Sequence, residues 1–346
     1  MKKILLISLI VILAACHRET STAEYTVDLT ASLPVRSLRT DFDISRLGTF
    51  EGRFFVDTTM AFPRAFMGFD ANSVLAMVGD ELYRISVPEG KLLTRYGHKG
   101  RGPMEYLNLG NYRMMGGEVF VNDFEGGKLL VYGADGEPLR SSPTDRFVQL
   151  DPISPGRFLQ FYPLGHKKGY LYDVVGEDGR EYRASAIPLS EAKSPIIHLN
   201  GSMEMDGQLC TRESLSYDFY RITETEEICW IHGEVGKYEQ PLEVLWNLEL
   251  ARMKVDQYID RSDYNIRKVG DLAFVNYFMG GRHKVVYDLK SGKILFNIKL
   301  TSPDDPILGI PLKYEGKTWY IWPVYSDDNW LICEDILEEN LWLFSR

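Results

Sequence analysis

The feature that most restricts the fold of this chain is a unit of short strands and tight turns. Residues 74–78 form an apolar run, Gly79-Asp80 a turn, residues 82–87 a second run, and residues 88–90 a further turn before residues 91–96. Runs of this length, separated by two or three turn-forming residues, predict consecutive antiparallel hairpins.

The same unit recurs along the chain. Units begin near residues 72, 116, 156, 207, 270 and 318. The first three starts lie about 40 residues apart, a spacing typical of four-stranded propeller blades. We therefore predict an all-β fold, a six-bladed β-propeller that occupies residues 25–346. A β-sandwich, or two stacked all-β domains, would use the same strands and turns, but repetition of the whole unit favours the propeller.

One segment departs from the strand pattern. Pro241 stands at a position typical of a helix start. Apolar residues follow it at spacings of three and four: Leu242, Leu245, Leu248, Ala251, Val255 and Tyr258. This period predicts a helical insertion over residues 241–260, packed between blades by its apolar stripe.

The amino terminus has the organisation of an export signal. Two lysines precede an apolar run, residues 4–15, which is shorter than the roughly 20 residues that a membrane-spanning helix needs. The run ends in Leu13-Ala14-Ala15-Cys16, which resembles the lipobox of bacterial lipoproteins. The alternative is an ordinary cleaved signal that contains a cysteine.

The lipobox resemblance implies a domain organisation and a location. Residues 1–15 would be a cleaved signal peptide, and residues 16–24 a flexible tether that begins with acylated Cys16, palmitate being one acyl chain. Lipid would then be the membrane anchor. His17 occupies the position where an aspartate would suggest retention at the inner membrane, so we expect an outer-membrane lipoprotein of the cell envelope.

Charge and cysteine usage limit the function classes. The formal net charge is −10 at pH 7, and a phosphate backbone would repel such a chain, so we expect no nucleic-acid partner. Cys210, Cys229 and Cys333 remain beside the lipidated cysteine. The first two fall on the outer strands of one three-stranded meander, roughly 9–10 Å apart. A disulfide does not span that distance, so we predict free, mostly buried thiols.

The segment Tyr96-Gly-His-Lys-Gly-Arg-Gly-Pro-Met-Glu-Tyr106 resembles a motif of NHL-like six-bladed propellers, Gly-x-x-Gly-x-Gly-Pro-x-Glu-[Tyr/Phe]. More narrowly, it resembles lipoproteins of that type that are common in Bacteroides-like bacteria. In them the motif forms the crossing between consecutive blades. The resemblance implies a structural inter-blade turn built on Gly97, Gly100, Gly102 and Pro103. Met104 stands where the family usually has glycine.

Linear catalytic or metal-binding motifs are absent, and the six histidines are scattered singly. A propeller can, however, build a site from one residue per blade. Arg64, Asp123 and Arg282 lie near strand starts or turns, where a propeller presents its face, and we predict them to bind ligand. Their alternative role is ordinary surface or turn pairing, worth about 0–1 kcal/mol each.

The function we expect is an envelope-anchored binding module for a protein, peptide or glycan, without a catalytic residue or a cofactor. The rival is a metal-assisted hydrolase or lyase of the NHL-like kind. Its site would need carboxylates or histidines from several blades around a divalent ion in the central channel. We also predict that residues 25–29, or a nearby amino-terminal strand, pair with carboxyl-terminal strands, because an open propeller would expose a sheet edge.

Overall fold

The computed structural model describes residues 23–29, 41–58, 61–161, 172–185, 202–205, 208–211, 218–234, 259–279, 282–300, 309–335 and 337–346. Cys16, the predicted signal peptide and most of the tether lie outside the described residues, as do residues 241–258 of the predicted helix. Ile259 and Asp260, the last two residues of that helix prediction, begin a strand instead. Within the described ranges, no helix combines the length and hydropathy needed to cross a membrane.

The described residues form 26 strands and a short 3-10 helix, Ile44–Leu47. In chain order the strands are β1 (Tyr25–Asp28), β2 (Thr49–Arg53), β3 (Pro63–Asp70), β4 (Ser73–Val78), β5 (Glu81–Ser86), β6 (Leu92–Tyr96), β7 (Leu109–Met115), β8 (Glu118–Asp123), β9 (Lys128–Gly133), β10 (Pro138–Pro143), β11 (Gln149–Ser154), β12 (Arg157–Phe161), β13 (Asp173–Gly176), β14 (Glu181–Ala184), β15 (Ser202–Met205), β16 (Gln208–Thr211), β17 (Asp218–Ile222), β18 (Glu227–Glu234), β19 (Ile259–Val269), β20 (Leu272–Met279), β21 (Arg282–Asp288), β22 (Lys293–Leu300), β23 (Ile310–Tyr314), β24 (Lys317–Ser326), β25 (Trp330–Asp335) and β26 (Asn340–Ser345).

These strands build six sheets that follow one another along the chain. Blades one to five are the antiparallel sheets β3–β6, β7–β10, β11–β14, β15–β18 and β19–β22. In blade six, β24, β25 and β26 pair in sequence, and β2 adds the outer strand. Strand β24 contacts β19 and β3, the first strands of the two adjacent blades, so it takes the innermost position. The first part of β24 also pairs with β23.

The ring is closed by an amino-terminal strand. Strand β2 pairs antiparallel with β26, with Thr49 opposite Ser345 and Arg53 opposite Trp342. Strand β1, in contrast, pairs in parallel with β18 at the outer edge of blade four. The predicted closure is therefore confirmed, and the strand that provides it is β2 rather than residues 25–29.

One apolar cluster fills each interface between adjacent blades. Blades one and two meet through side chains that include Leu75 and Tyr106, while blades six and one meet through Ile332 and Val74. The other four clusters join blades two to three, three to four, four to five and five to six. Because every blade buries both faces against its neighbours, the sheets form one closed ring. The predicted six-bladed all-β propeller is confirmed.

The turns and the cysteines also agree with the sequence. Gly116 and Gly117, between β7 and β8, have φ values of 60° and 85°, the left-handed pair that a tight type I′ hairpin turn requires. Cys210, Cys229 and Cys333 are buried, and none of these three described cysteines is in a disulfide. Strand β17 separates the strands of the first two, as predicted.

Candidate functional site

One end of the central channel carries the connections between blades. Each inner strand begins where a connection from the previous blade ends. Because neighbouring strands of a blade are antiparallel, the turn between the second and third strands lies at this same end of the channel. We call it the connection face; its described parts include residues 54–58, 79–80, 97–108 and 124–127. Two cavities open there, one on each side of blade one.

All three predicted ligand-binding residues lie on the connection face, but in three different blades. Arg64 is the second residue of β3, Asp123 is the last residue of β8, and Arg282 is the first residue of β21. The backbone of Arg282 pairs with Phe278 and Leu300, and its side chain lies outside the described part of the structure.

Asp123 holds a turn in this structure. It is fully buried, and its Oδ1 accepts hydrogen bonds from the backbone N–H groups of Leu107 and Asn108, both at 3.1 Å, and of Gly126 at 2.9 Å. Lys128 Nζ lies 3.8 Å from its Oδ2. These contacts join the inter-blade connection to blade two. They correspond to turn pairing, the alternative role that the sequence analysis gave for Asp123.

Arg64 is placed differently, because it stands exposed at the channel rim. The next residue, Ala65, has a φ of 55°, and the register between β3 and β4 shifts there. The Tyr112 hydroxyl of blade two donates to the Ala65 carbonyl and so fixes this bulge. Burial raises the pKa of Tyr112, and the nearby Arg64 guanidinium opposes that rise. Arg64 forms no ion pair with any described residue.

The first cavity, called cavity one, lies between blades six and one and has a volume of about 330 Å³. Its lining includes Arg53, Phe55, Pro63 and Asn340. The Phe55 side chain is 65% exposed, and the Arg53 guanidinium lies 4.7 Å from the centre of its ring. Asn340 is 2% exposed. Cavity one therefore combines an accessible aromatic ring, a cation and a buried amide.

The second cavity, cavity two, lies between blades one and two and has a volume of about 300 Å³. Its lining is more charged, with Asp80, Lys99 and Glu125 at the opening, and Lys99 Nζ lies 3.1 Å from Asp80 Oδ2. Met77, which also lines it, is the cross-strand partner of Arg64. Pro63 lines cavity one, so the residues that adjoin Arg64 along the chain and across the sheet line the two cavities.

The glycine-rich connection from blade one to blade two forms one wall of cavity two. Gly97 has a left-handed φ of 67°. Gly100 and Gly102 instead make room for Glu105, since a Cβ on either would come within 3.0 Å of its carboxyl group. Glu105 accepts hydrogen bonds from the Gly102 N–H at 2.6 Å and from His98 Nε2 at 2.8 Å, and the Gly102 contact is the main cause of its lowered pKa.

The same connection is also tied to blade two. The Tyr132 hydroxyl donates to the Met104 carbonyl at 2.7 Å, and the Lys128 ammonium donates to the carbonyls of Gly102 and Glu105 at 3.0 and 2.5 Å. Pro103 lies within this network. These contacts fix the segment that separates the two blades.

Deeper in the channel, Glu204 gathers groups from four other blades. Its Oε2 lies 3.5 Å from Arg113 Nε of blade two, and its Oε1 accepts from the Gly68 N–H of blade one at 3.2 Å. Arg267 Nη1 of blade five donates to its backbone carbonyl at 3.4 Å. The Glu204 charge also contributes to the raised pKa of Tyr325 in blade six, after burial and Asp327.

The groups that converge at Glu204 are two guanidinium groups, a backbone N–H and a phenol. Among the described residues, no group of three or more histidine, cysteine, aspartate or glutamate side chains is arranged to hold a metal ion. The sequence prediction named neither Glu204 nor the residues of cavity one. Their positions depend on blade pairing, and no local motif marks them.

Comparisons with known proteins support the fold. No family model matches the chain, and neither does any curated protein sequence. A protein of Bacteroides fragilis that is named as an exported protein superposes with a TM-score of 0.62 at 13% identity, over 93% of this chain and 99% of the other. A member of the DUF4221 family from Bacteroides vulgatus superposes with a TM-score of 0.52 at 11% identity, over 84% and 94%. At these identities the likeness shows the fold alone.

Proposed function

We propose that this protein is an exported, lipid-anchored propeller that binds a protein, peptide or glycan ligand on its connection face. The observation that carries the proposal is the arrangement around Arg64. Two cavities of about 330 and 300 Å³ open on one face, and an exposed arginine without an ion-pair partner among the described residues adjoins a lining residue of each. Ligand sites in proteins are typically concave, with volumes of about 300–1,000 Å³ and a few convergent polar groups.

The chemistry of the rim suits a neutral or anionic polar ligand. A guanidinium offers five N–H donors in a planar fork, which matches carboxylate and carbonyl oxygens. Because Arg64 is exposed, it is free to donate to a ligand without breaking an internal ion pair. The rigid ring of blades below holds the rim in position, so binding requires little ordering of the backbone.

The proposed location rests on the amino terminus. The lipobox-like Leu13-Ala14-Ala15-Cys16 supports acylation of Cys16 and attachment to the outer membrane. The name of the Bacteroides fragilis neighbour agrees with export. A lipid anchor on the predicted flexible tether would keep the propeller near the membrane, where envelope glycans and proteins are concentrated.

The test is a binding screen of the mature chain against arrayed envelope glycans and peptides. The variant is Arg64→Ala, and the matched control is Arg180→Ala, an exposed arginine in the turn between β13 and β14 at the opposite end of blade three. Loss of a charged hydrogen bond, about 1.5–3 kcal/mol, predicts roughly ten- to hundredfold weaker binding for Arg64→Ala alone. A screen without any ligand, or equal losses in both variants, would contradict the proposal.

A further inference from the structure

The amino-terminal strand β1 runs toward the connection face. It pairs in parallel with β18, and its last residue, Asp28, stands opposite Glu234. Strand β18 is the fourth antiparallel strand of blade four, and the first strand of each blade begins at the connection face, so β18 ends there. The start of β1, at Tyr25, therefore lies at the other end of the propeller.

We call this other end the opposite face. It carries the turns between first and second strands and between third and fourth strands, and its described parts include residues 71–72, 134–137, 223–226, 270–271 and 289–292. The inner strands separate it from the connection face and its two cavities. Strand β3 has eight residues, so the two faces are about 27 Å apart.

Contacts with blade five place Tyr25 at the opposite face. Lys268, the last residue but one of β19, has its Nζ 5.9 Å from the centre of the Tyr25 ring. Burial and the neighbouring Glu24 are the main causes of the raised pKa of Tyr25. The charges of Asp271 and Lys290 also act on this phenol, and both residues stand in turns of the opposite face.

Strand β1 is part of the packed structure. Val27 and Leu29 are buried in the apolar cluster between blades four and five. The Tyr277 hydroxyl of blade five donates to the Leu29 carbonyl at 3.0 Å, and the Glu24 N–H donates to the Cys229 carbonyl at 3.2 Å. The point at which the chain leaves the propeller toward its proposed anchor is therefore fixed beside the opposite face.

The length of the chain limits the distance from this point to the anchor. Cys16 precedes Glu24 by eight residues, which span at most about 29 Å when fully extended. If the connection face lay on the membrane, Glu24 would stand about 27 Å from the bilayer, and the linking residues would need almost full extension. A flexible chain of this length has a mean span of only roughly 16 Å. Chain entropy therefore favours the orientation with the opposite face toward the membrane.

We propose that the anchored propeller turns its opposite face toward the membrane and opens its ligand site away from it. The inference rests on the proposed lipid anchor and binding function, and it narrows the ligand. The two cavities and Arg64 face the aqueous compartment, so the partner is a glycan or polypeptide that approaches from that side. A lipid headgroup of the same membrane, or a membrane-embedded segment, does not reach the site.

The experiment measures which face lies nearer the bilayer. The mature chain is coupled through the Cys16 thiol to a maleimide-headgroup lipid in phosphatidylcholine vesicles, and the three described cysteines are buried and do not compete. An azido amino acid, introduced at one position at a time, carries a fluorescent donor. A rhodamine-labelled lipid in the bilayer is the acceptor.

The two donor positions are matched, because they are exposed residues at the two ends of β4. Asn72 precedes β4 on the opposite face, and Asp80 follows it on the connection face. Energy transfer to the bilayer should be more efficient from position 72 than from position 80. Equal transfer, or more efficient transfer from position 80, would overturn the proposal.

Two variants test whether β1 and the short reach set the orientation. A 20-residue Gly-Ser insertion between residues 22 and 23 raises the mean span to roughly 29 Å and should remove the difference between the donor positions. Val27→Asp places a carboxylate in the apolar cluster, should release β1 and should have the same effect. If Val27→Asp does not fold, the insertion decides. A difference that persists in the insertion variant contradicts the proposal.

This inference and the proposed function fail in different ways. Chemical coupling supplies the anchor, so equal transfer from the two positions overturns the orientation and leaves ligand binding at Arg64 intact. If cells do not acylate Cys16, the lipid anchor is wrong and the orientation falls with it. A screen in which no ligand binds overturns the binding function, whatever the orientation.

Discussion

The carboxylate of Glu204 and the guanidinium of Arg113 meet inside the channel, with 3.5 Å between Oε2 and Nε. Their strands, β15 and β7, belong to blades four and two, which are not neighbours in the ring. The two side chains are only 8% and 13% exposed, so water screens their attraction weakly. The pair therefore links blades across the channel, in addition to the apolar clusters that link adjacent blades.

Breaking this pair from one side is expected to destabilise the propeller. Arg113→Met leaves the Glu204 carboxylate buried without its cation, and loss of one partner of a buried pair costs about 3–5 kcal/mol. The free energy of unfolding, measured with chemical denaturant, should fall by about that amount. In the double variant with Glu204→Gln, the loss should be clearly smaller than the sum of the two single losses. Additive losses would show that the two side chains do not interact.

Gly68 is the second point at which Glu204 is held, and a side chain at this position would press against the Glu204 carboxylate and the Tyr325 hydroxyl. A Cβ on Gly68 would lie 3.0 Å from Glu204 Oε1 and 3.2 Å from the Tyr325 hydroxyl. Gly68→Ala should therefore displace the Glu204 carboxylate and lower stability by about 1–3 kcal/mol, the usual cost of overpacking. The same substitution should cost less in a Glu204→Ala background, where the space is open. Thermal unfolding of the four proteins measures this difference.

The blade count could be predicted from the sequence because second strands such as β4 and β8 are buried at most of their positions and form apolar runs. Strand β4 is buried at five of its six positions. The inner strand β3 lines the channel along one side and has a mixed burial pattern, so it lacks an apolar run. For this reason the predicted first unit begins near residue 72, at the second strand of the observed blade. The starts near 116 and 156 have the same offset.

The candidate site was less predictable, because closure of the ring creates it. Phe55 and Asn340 are far apart in the chain, and both line cavity one because β2 pairs with β26. Glu204 meets Arg113 only through the geometry of six blades. Arg64 could be chosen from its place at a strand start and Asp123 from its place beside a turn, but in the structure Asp123 holds that turn. Local sequence does not distinguish these two cases.

Removal of residues 341–346 is expected to unfold the whole domain. The segment contains four buried side chains, Leu341, Trp342, Leu343 and Phe344. Burial of a large apolar side chain contributes about 1.5–3 kcal/mol, and a whole domain is stable by only about 5–15 kcal/mol. Calorimetry should show no cooperative transition for the truncated protein. A chain that begins at residue 23, which keeps β1 and β2, is the control and should retain its melting temperature.

Acylation of Cys16 predicts a simple labelling result. Cells that express the full chain and are fed labelled palmitate should incorporate the label, and the protein should fractionate with membranes. Cys16→Ser should abolish both, whereas Cys210→Ser, which changes a buried thiol of the propeller, should retain both. If Cys16→Ser takes up no label but still fractionates with membranes, another feature anchors the chain.

Asp288 is expected to limit stability at acidic pH. A hydrogen bond from Arg46 at 2.5 Å, followed by the Ser291 N–H, lowers the pKa of Asp288 from 3.8 to about 2. Between pH 3.8 and about pH 2, the unfolded chain binds more protons than the folded one. The stabilisation that ionised Asp288 contributes to the folded state is therefore complete above about pH 4 and is lost as the pH falls through 2. Asp288→Asn should reduce the slope of unfolding free energy against pH between 4 and 2. The control is Asp328, an exposed carboxylate between β24 and β25, and Asp328→Asn should keep the wild-type slope. Equal slopes in the wild-type protein and both variants would exclude this role for the Arg46–Asp288 pair.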